Sequence, residues 1–295
     1  MRTTRSVTEI VPTHIVREGG GFKVRRPYRM GRVLSPFLLI DEMGPVDYGP
    51  GEAIGAPWHP HRGFETVTYL LDGRMRHEDS AGNSGELNPG DVQWMTAGRG
   101  IIHCEEPHEE FLKTGGRTHG FQIWVNLPSS HKMMEPRYQE VPSTESPIVE
   151  QDGVWARVIA GECMGTTSSI DTKIPITLIH VKMKPKSRLV QHLQADLNGM
   201  IYVFGGGINL ENETRVKKSP IAFGIGAKQG IQDGELAILS EGEEIVIKSE
   251  EGAEFLIFAG PELNEPIERY GPFVMNTKEE IHQAFSDYQN GTFVN

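Results

Sequence analysis

Between Thr66 and Leu71 the chain sets Val67, Tyr69 and Leu71 against Thr66, Thr68 and Leu70, the two-residue period of a half-buried strand. Asp72-Gly73 ends that strand, and Arg74–Glu78 reads as the next. After a turn-rich stretch from Asp79 to Gly85, Pro89-Gly90-Asp91 leads into a strand over Val92–Thr96, which Gly98-Arg99-Gly100 breaks. Gly120–Leu127 predicts another. Short strands punctuated in this way belong to a barrel or a sandwich. Pro128, Pro136, Pro142 and Pro147 then thin out regular structure until Trp155–Ala160, which puts a domain boundary near residue 140 and divides the chain into 1–140 and 141–295. A second series follows at Ile176–Met183, Met200–Gly205, Glu235–Leu239, Glu244–Lys248 and Phe255–Ala259. The expected fold is all-β, two β modules in series.

The tail has a different period. Thr277-Lys278-Glu279-Glu280 is a capping box, in which the Thr277 hydroxyl and the Glu280 carboxylate satisfy opening backbone N–H groups, so a helix is predicted over about 277–289. Ile281, Ala284, Phe285 and Tyr288 fall at i, i+3, i+4 and i+7, one apolar stripe that has to pack on a barrel.

Composition narrows the partners. With 295 residues each module can bury a core of its own, and 34 glycines and 19 prolines favour turns over long helices. A net charge of -11 argues against direct nucleic-acid contact or attraction to anionic lipid and leaves small molecules or proteins. Cys104 and Cys163 are the only cysteines and form no framework, which suits a reducing compartment. Arg2 and Arg5 are followed by Glu9 and not by an apolar stretch, so no secretory signal is expected, and no apolar run approaches the roughly 18 residues needed to cross a bilayer. The expectation is a soluble monomer without membrane contact, located in the cytoplasm and, in a eukaryote, also in the nucleus.

Candidate chemistry lies in the first module. His59 and His61 flank Pro60, and residues two apart in an extended segment point to one side. Ile101, His103 and Glu105 repeat the pattern further on. Two such pairs on neighbouring strands build a four-ligand mononuclear metal site from His59, His61, His103 and Glu105, and the two glycine turns between them return the second pair beside the first. A single histidine of this kind would carry little weight, and in the second half His180, His192 and His282 stand apart, so no four-ligand set can be assembled there.

Trp58-His-Pro-His-Arg-Gly-Phe-Glu-Thr-Val-Thr-Tyr69 and Gly98-Arg-Gly-Ile-Ile-His-Cys-Glu105 resemble the pirin family of the cupin superfamily. The similarity continues through Gln122-Ile-Trp-Val-Asn-Leu-Pro128, Pro136-Arg-Tyr-Gln139, Leu263-Asn-Glu-Pro-Ile267 and Tyr270-Gly-Pro-Phe-Val-Met-Asn276, and so covers nearly the whole chain. The resemblance implies two tandem cupin (double-stranded β-helix, jelly-roll) barrels, the first holding iron through His59, His61, His103 and Glu105, the second without metal. It further implies quercetin 2,3-dioxygenase activity, in which a flavonol and O2 react with ring opening and release of carbon monoxide. The donor set suits one Fe(II) per chain, since an octahedral ion keeps two adjacent positions open, with manganese, nickel or copper as substitutes. Glu105 is then also the candidate base for the 3-hydroxyl, although a carboxylate bound to a cation is a weakened base. Pirin-type proteins also act as metal-dependent partners of transcription regulators or metabolic enzymes, and the sequence leaves both roles open, with metal storage or sugar binding as a third.

Around the four ligands, Phe64, Trp94, Gln122 and Trp124 are candidate substrate contacts, and His77 and His119 candidate supports for the metal ligands. Glu65 is at most a support as well. Strand alternation turns Cys104 away from the metal, where it packs as a small hydrophobe.

Overall fold

The computed structural model describes residues 2–18, 20–28, 34–212 and 230–294. The chain forms two compact units, and these do not coincide with its two halves. One comprises 1–14, 27–36 and 146–262; the other comprises 15–26, 37–145 and 263–295. Each half of the sequence thus lends an end segment to the unit built mainly from the other.

The unit containing the candidate ligands has two antiparallel sheets. In the first the order is Arg137–Val141, Val92–Thr96, Phe64–Asp72, Gly116–Asn126, Phe37–Tyr48 and Phe22–Pro27. The second runs Ala56–His61, Ile101–Pro107, Met75–Asp79, Ser84–Leu87. Among the described residues these strand paths are open, and side chains from the two sheets meet face to face in the arrangement of a cupin jelly roll. Phe64 to Leu70 are all buried, so this strand is covered on both faces instead of being half-buried as its alternation predicts. Thr68 tolerates that burial because it looks across at Glu105 of the opposite sheet and satisfies its hydroxyl there.

In the other unit, the N-terminal strand residues Val7–Pro12 pair with Glu235–Leu239, followed by Leu197–Leu210, Ala253–Pro261, Thr177–Met183, Val154–Ala160 and Ile148–Gln151. Ser187–His192 pairs with Glu244–Ser249 in a second layer, and the core between includes Val158, Ile179, Ile201, Ile245 and Ile257. His180 is buried here and its ring lies 2.9 Å from Glu254; burial outweighs that carboxylate and pushes the imidazole down to about 4.

Several strands escape the sequence pattern, the longest being Val7–Glu18 and Phe37–Tyr48, with Phe22–Pro27, Arg137–Val141 and Ser187–His192 among the shorter ones. In Phe37–Tyr48, Asp41 and Glu42 interrupt the apolar run, yet both are buried, paired with Arg26 at 2.6 Å and Arg25 at 2.6 Å. A charged pair in a strand hides its period. The C-terminal helix spans Lys278–Gln289 behind its Thr277–Glu280 capping box. Ile281 and Ala284 are buried against Phe273, Met275 and Phe293, Phe285 is half-buried, and Tyr288 stays at the rim. Twelve residues are marginal as a free helix, so this packing, worth about 1.5–3 kcal/mol for Ile281 alone, holds it.

Candidate metal centre

Ala56–His61 and Ile101–Pro107 run antiparallel with His59 directly opposite His103 and His61 opposite Ile101. Pro60 keeps His59 and His61 two apart on one face, and the cross-strand pairing adds His103 to that face. The ring centroids lie 4.3 Å (His59 and His103), 4.7 Å (His59 and His61) and 5.0 Å (His61 and His103) apart, and one ligand nitrogen from each comes within 4.8 Å of the others. Glu105 is outside this group. Two residues beyond His103, it is buried with its Oε1 accepting from the Thr68 hydroxyl at 2.6 Å; the same hydroxyl lies 2.8 Å from the Gln122 side-chain oxygen.

The orientation of the three imidazoles follows from the hydrogen bonds of their Nδ1 atoms. His59 Nδ1 is 2.7 Å from the Pro57 carbonyl, His61 Nδ1 is 3.3 Å from the Pro272 carbonyl, and His103 Nδ1 is 3.4 Å from His77 Nδ1. A carbonyl can only accept, so His59 and His61 carry their protons on Nδ1 and present the Nε2 lone pair. His103 Nε2 is fully buried with no hydrogen-bond partner in the protein. A buried, unpartnered ring nitrogen beside two other imidazoles fits a metal ion, which would supply the missing contact. Burial, reinforced by the neighbouring histidines, holds His61 and His103 well below the ordinary imidazole range, in the neutral form a metal requires.

A cavity of about 520 Å³ opens beside His59, His61 and Glu105, with Gln122 and Trp124 on its wall and the exposed Trp58 at its edge. Trp124 is held rigid, with Phe64 4.3 Å from its ring and the Arg269 guanidinium stacked over it at 4.4 Å. Of the four aromatic and amide contacts expected from sequence, only Gln122 and Trp124 face the cavity. Phe64 is completely buried behind Trp124 and His61. Trp94 pairs with Val67, on the face of its sheet opposite to Thr68 and Gln93, and is core. Of the two supporting histidines expected, His77 touches His103, while His119 is bound to Glu42 at 2.9 Å and does not line the cavity. Glu65 accepts from Thr96 at 2.6 Å, on the same averted face as Trp94. Cys104 is buried, and burial, helped by Glu106 and Glu78, pushes its thiol up.

Sequence reasoning missed the supports contributed by residues 263–295. Pro272 orients His61. Arg62, next to that ligand, is buried in an ion pair with Asp287 at 2.7 Å and under the Phe293 ring at 4.4 Å. Lys132 donates to Gly63 O, Asn126 Oδ1 and Val274 O at 2.8, 2.6 and 3.0 Å. Gly63 has φ +90°, and a Cβ there would collide with the Val274 carbonyl, so the Arg-Gly after the histidine pair is what lets this segment approach.

The sequence model of the pirin family matches residues 21–125, and that of the pirin C-terminal cupin domain matches residues 178–294. The chain belongs to the pirin family. Pirin of Homo sapiens is 40% identical over 295 residues, covering 98% of this chain and 94% of the human protein. A pirin-like protein of Solanum lycopersicum is 40% identical over 291 residues, 97% of this chain and 92% of its own. The crystal structure of a quercetin 2,3-dioxygenase from Acinetobacter baumannii superposes with a TM-score of 0.88 at 36% identity, covering 98% of both chains. Like this pirin, those relatives match along nearly their whole length, so the bicupin arrangement and not one module alone is shared.

Proposed function

We propose that this pirin is a mononuclear iron quercetin 2,3-dioxygenase, opening the flavonol ring with O2 and releasing carbon monoxide. The observation that carries the reading is the convergence of His59, His61 and His103 beside an open cavity that also exposes a carboxylate outside their group. The likeness to the Acinetobacter baumannii dioxygenase supports it. His59, His61 and His103 would hold the ion through Nε2, with Glu105, two residues beyond His103 in the same strand, as the fourth donor that the sequence pattern suggests. When bound, iron supplies Lewis acidity toward the flavonol 3-oxygen and a place for O2 beside it.

The chain's own residues do the rest. Glu105, fixed by Thr68, takes the 3-hydroxyl proton, and its position outside the histidine group suits a base better than a permanently coordinated carboxylate. Trp124, clamped between Phe64 and Arg269, gives a flat substrate a wall that does not yield, while Met43, Val46 and Ile54 add apolar surface to the cavity lining. A role confined to protein partnership would need no such opening beside Glu105.

Metal analysis and quercetin turnover on one protein batch test the proposal, together with Glu105→Gln at saturating Fe(II). The variant should bind flavonol yet turn over slowly at neutral pH and recover part of the rate at higher pH, where the 3-hydroxyl ionises unaided. Wild-type turnover in Glu105→Gln would remove the base role, and an iron-loaded wild type inert toward flavonols would remove the dioxygenase reading.

A further inference from the structure

Asp79, His77 and Gln93 form a buried polar cluster behind His103 that the proposed chemistry leaves unused. His77 Nε2 is 3.3 Å from Asp79 Oδ2, and His77 Nδ1 is 3.4 Å from His103 Nδ1 and 3.1 Å from the Gln93 amide. The His77 ring stacks on Tyr138 at 5.0 Å, so it cannot turn freely. Asp79 is itself pinned: Oδ1 accepts from the backbone N–H groups of Ala81 and Asn83 at 2.9 and 3.0 Å, and Oδ2 from the Asn83 amide at 2.8 Å.

Proton positions then follow by elimination. The Asp79 carboxylate offers only lone pairs, so the His77 proton sits on Nε2 and its Nδ1 becomes an acceptor. The lone pair at His77 Nδ1 faces two groups, the Gln93 amide at 3.1 Å and His103 Nδ1 at 3.4 Å; an unprotonated His103 Nδ1 would set lone pair against lone pair, so the His103 proton sits on Nδ1 and shares that acceptor. That leaves the His103 Nε2 lone pair bare, at the one ring nitrogen of the cluster that is buried and without a protein partner. We infer that Asp79 and His77 are positioning residues: a two-step relay that fixes the tautomer of His103 and thereby makes it a metal ligand. The inference rests on the reading of His59, His61 and His103 as a metal site and not on the reaction performed there.

Asp79→Asn offers a sharp test because it should reverse the relay. The two backbone N–H donors hold the amide oxygen in the Oδ1 position, which turns the amide NH2 toward His77 Nε2 and toward Asn83, whose own amide flips to present its oxygen. His77 must then accept at Nε2 and donate from Nδ1, and His103 is left with its proton on Nε2, where the metal should bind. The full chain labelled with 15N-histidine reports each tautomer by long-range 1H–15N correlation without metal, and zinc competition against a chromophoric chelator reports affinity. Expected are Nδ1–H for His103 and Nε2–H for His77 in the wild type, inversion of both in Asp79→Asn, and zinc affinity about 10- to 100-fold weaker. His77→Phe, which keeps the stacking on Tyr138 but removes the acceptor, should weaken zinc to a similar extent, and it decides the matter if circular dichroism shows Asp79→Asn unfolded.

An Nε2–H His103 or a doubly protonated His77 in the wild type overturns the relay, as does zinc affinity within twofold of wild type in His77→Phe or in folded Asp79→Asn. A wild type that holds no zinc overturns both the relay and the metal site. One that holds zinc, shows the expected tautomers and never opens a flavonol upholds the relay and rejects only the dioxygenase.

Discussion

Lys132→Met sets two large opposing effects against each other at a point where their balance can be measured. The ammonium group is buried, and its three acceptors, Gly63 O, Asn126 Oδ1 and Val274 O, are all uncharged. Burial pushes its pKa from 10.5 down to about 8, with the carboxylates of Glu265 and Glu280 opposing only in part. That fall corresponds to roughly 3 kcal/mol against the charged form at neutral pH. Hydrogen bonds from a charged donor contribute about 1.5–3 kcal/mol each, so three of them outweigh the penalty. Methionine fills similar volume and relieves the penalty, but leaves three buried acceptors bare; the expected net loss is about 2–5 kcal/mol at pH 7. The pH dependence has a definite sign. Because the folded pKa is the lower one, the unfolded chain binds more protons between about pH 8 and 10.5, so wild-type stability gains from this group as pH rises through that window. The variant lacks the gain, and the gap between the two should widen from pH 8 upward. Urea titrations followed by tryptophan emission and circular dichroism at pH 7, 8, 9 and 10 measure it. Equal midpoints at pH 7, or a gap that narrows above pH 8, would refute the reasoning.

His61→Ala should reduce metal content to near zero, whereas His180→Ala, whose imidazole is bound to Glu254, should leave it at the wild-type level by elemental analysis. Cys104→Ala is expected to cost roughly 1 kcal/mol in denaturant titration and to leave flavonol turnover within about twofold. Trp94→Ala and Trp124→Ala should part company: the first loses about 3–5 kcal/mol of stability with metal stoichiometry intact, the second shows mainly a raised flavonol KM in steady-state kinetics. An unchanged KM in Trp124→Ala would take the indole off the substrate wall.

The histidine cluster was legible because two-residue spacing in extended chain is a local property, and the glycine turns that bring the strands together are written beside it. The helix at 278–289 was legible for the same reason, from its capping box and stripe. Choosing between Trp94 and Trp124 was beyond the sequence. Both sit in strands near a glutamine, Trp94 directly after Gln93 and Trp124 two residues beyond Gln122, and only the cross-strand register, Trp94 against Val67 and Trp124 against Thr66, tells the core face from the cavity face. His77 and His119 looked alike for want of partners. Asp79 and Gln93 single out the first, Glu42 the second, and those meetings depend on how the sheets face each other. The supports at Pro272, Asp287 and Phe293 lie more than two hundred residues from His61 and Arg62, which they hold, a separation no periodicity can report.

The borrowing of 263–295 by the ligand-bearing unit has a consequence for the order of events during synthesis. A ribosome translates all of 1–14, 27–36 and 146–262 before it reaches Pro272, Asp287 or Phe293, so the unit without the histidine cluster is complete in sequence first. The nascent histidines, though translated early, wait unbuttressed until codons 263–295 are read. A premature stop between codons 263 and 272 would therefore yield a molecule with one finished unit and one without the carbonyl that orients His61, a truncation product that keeps much of its structure while losing its grip on metal.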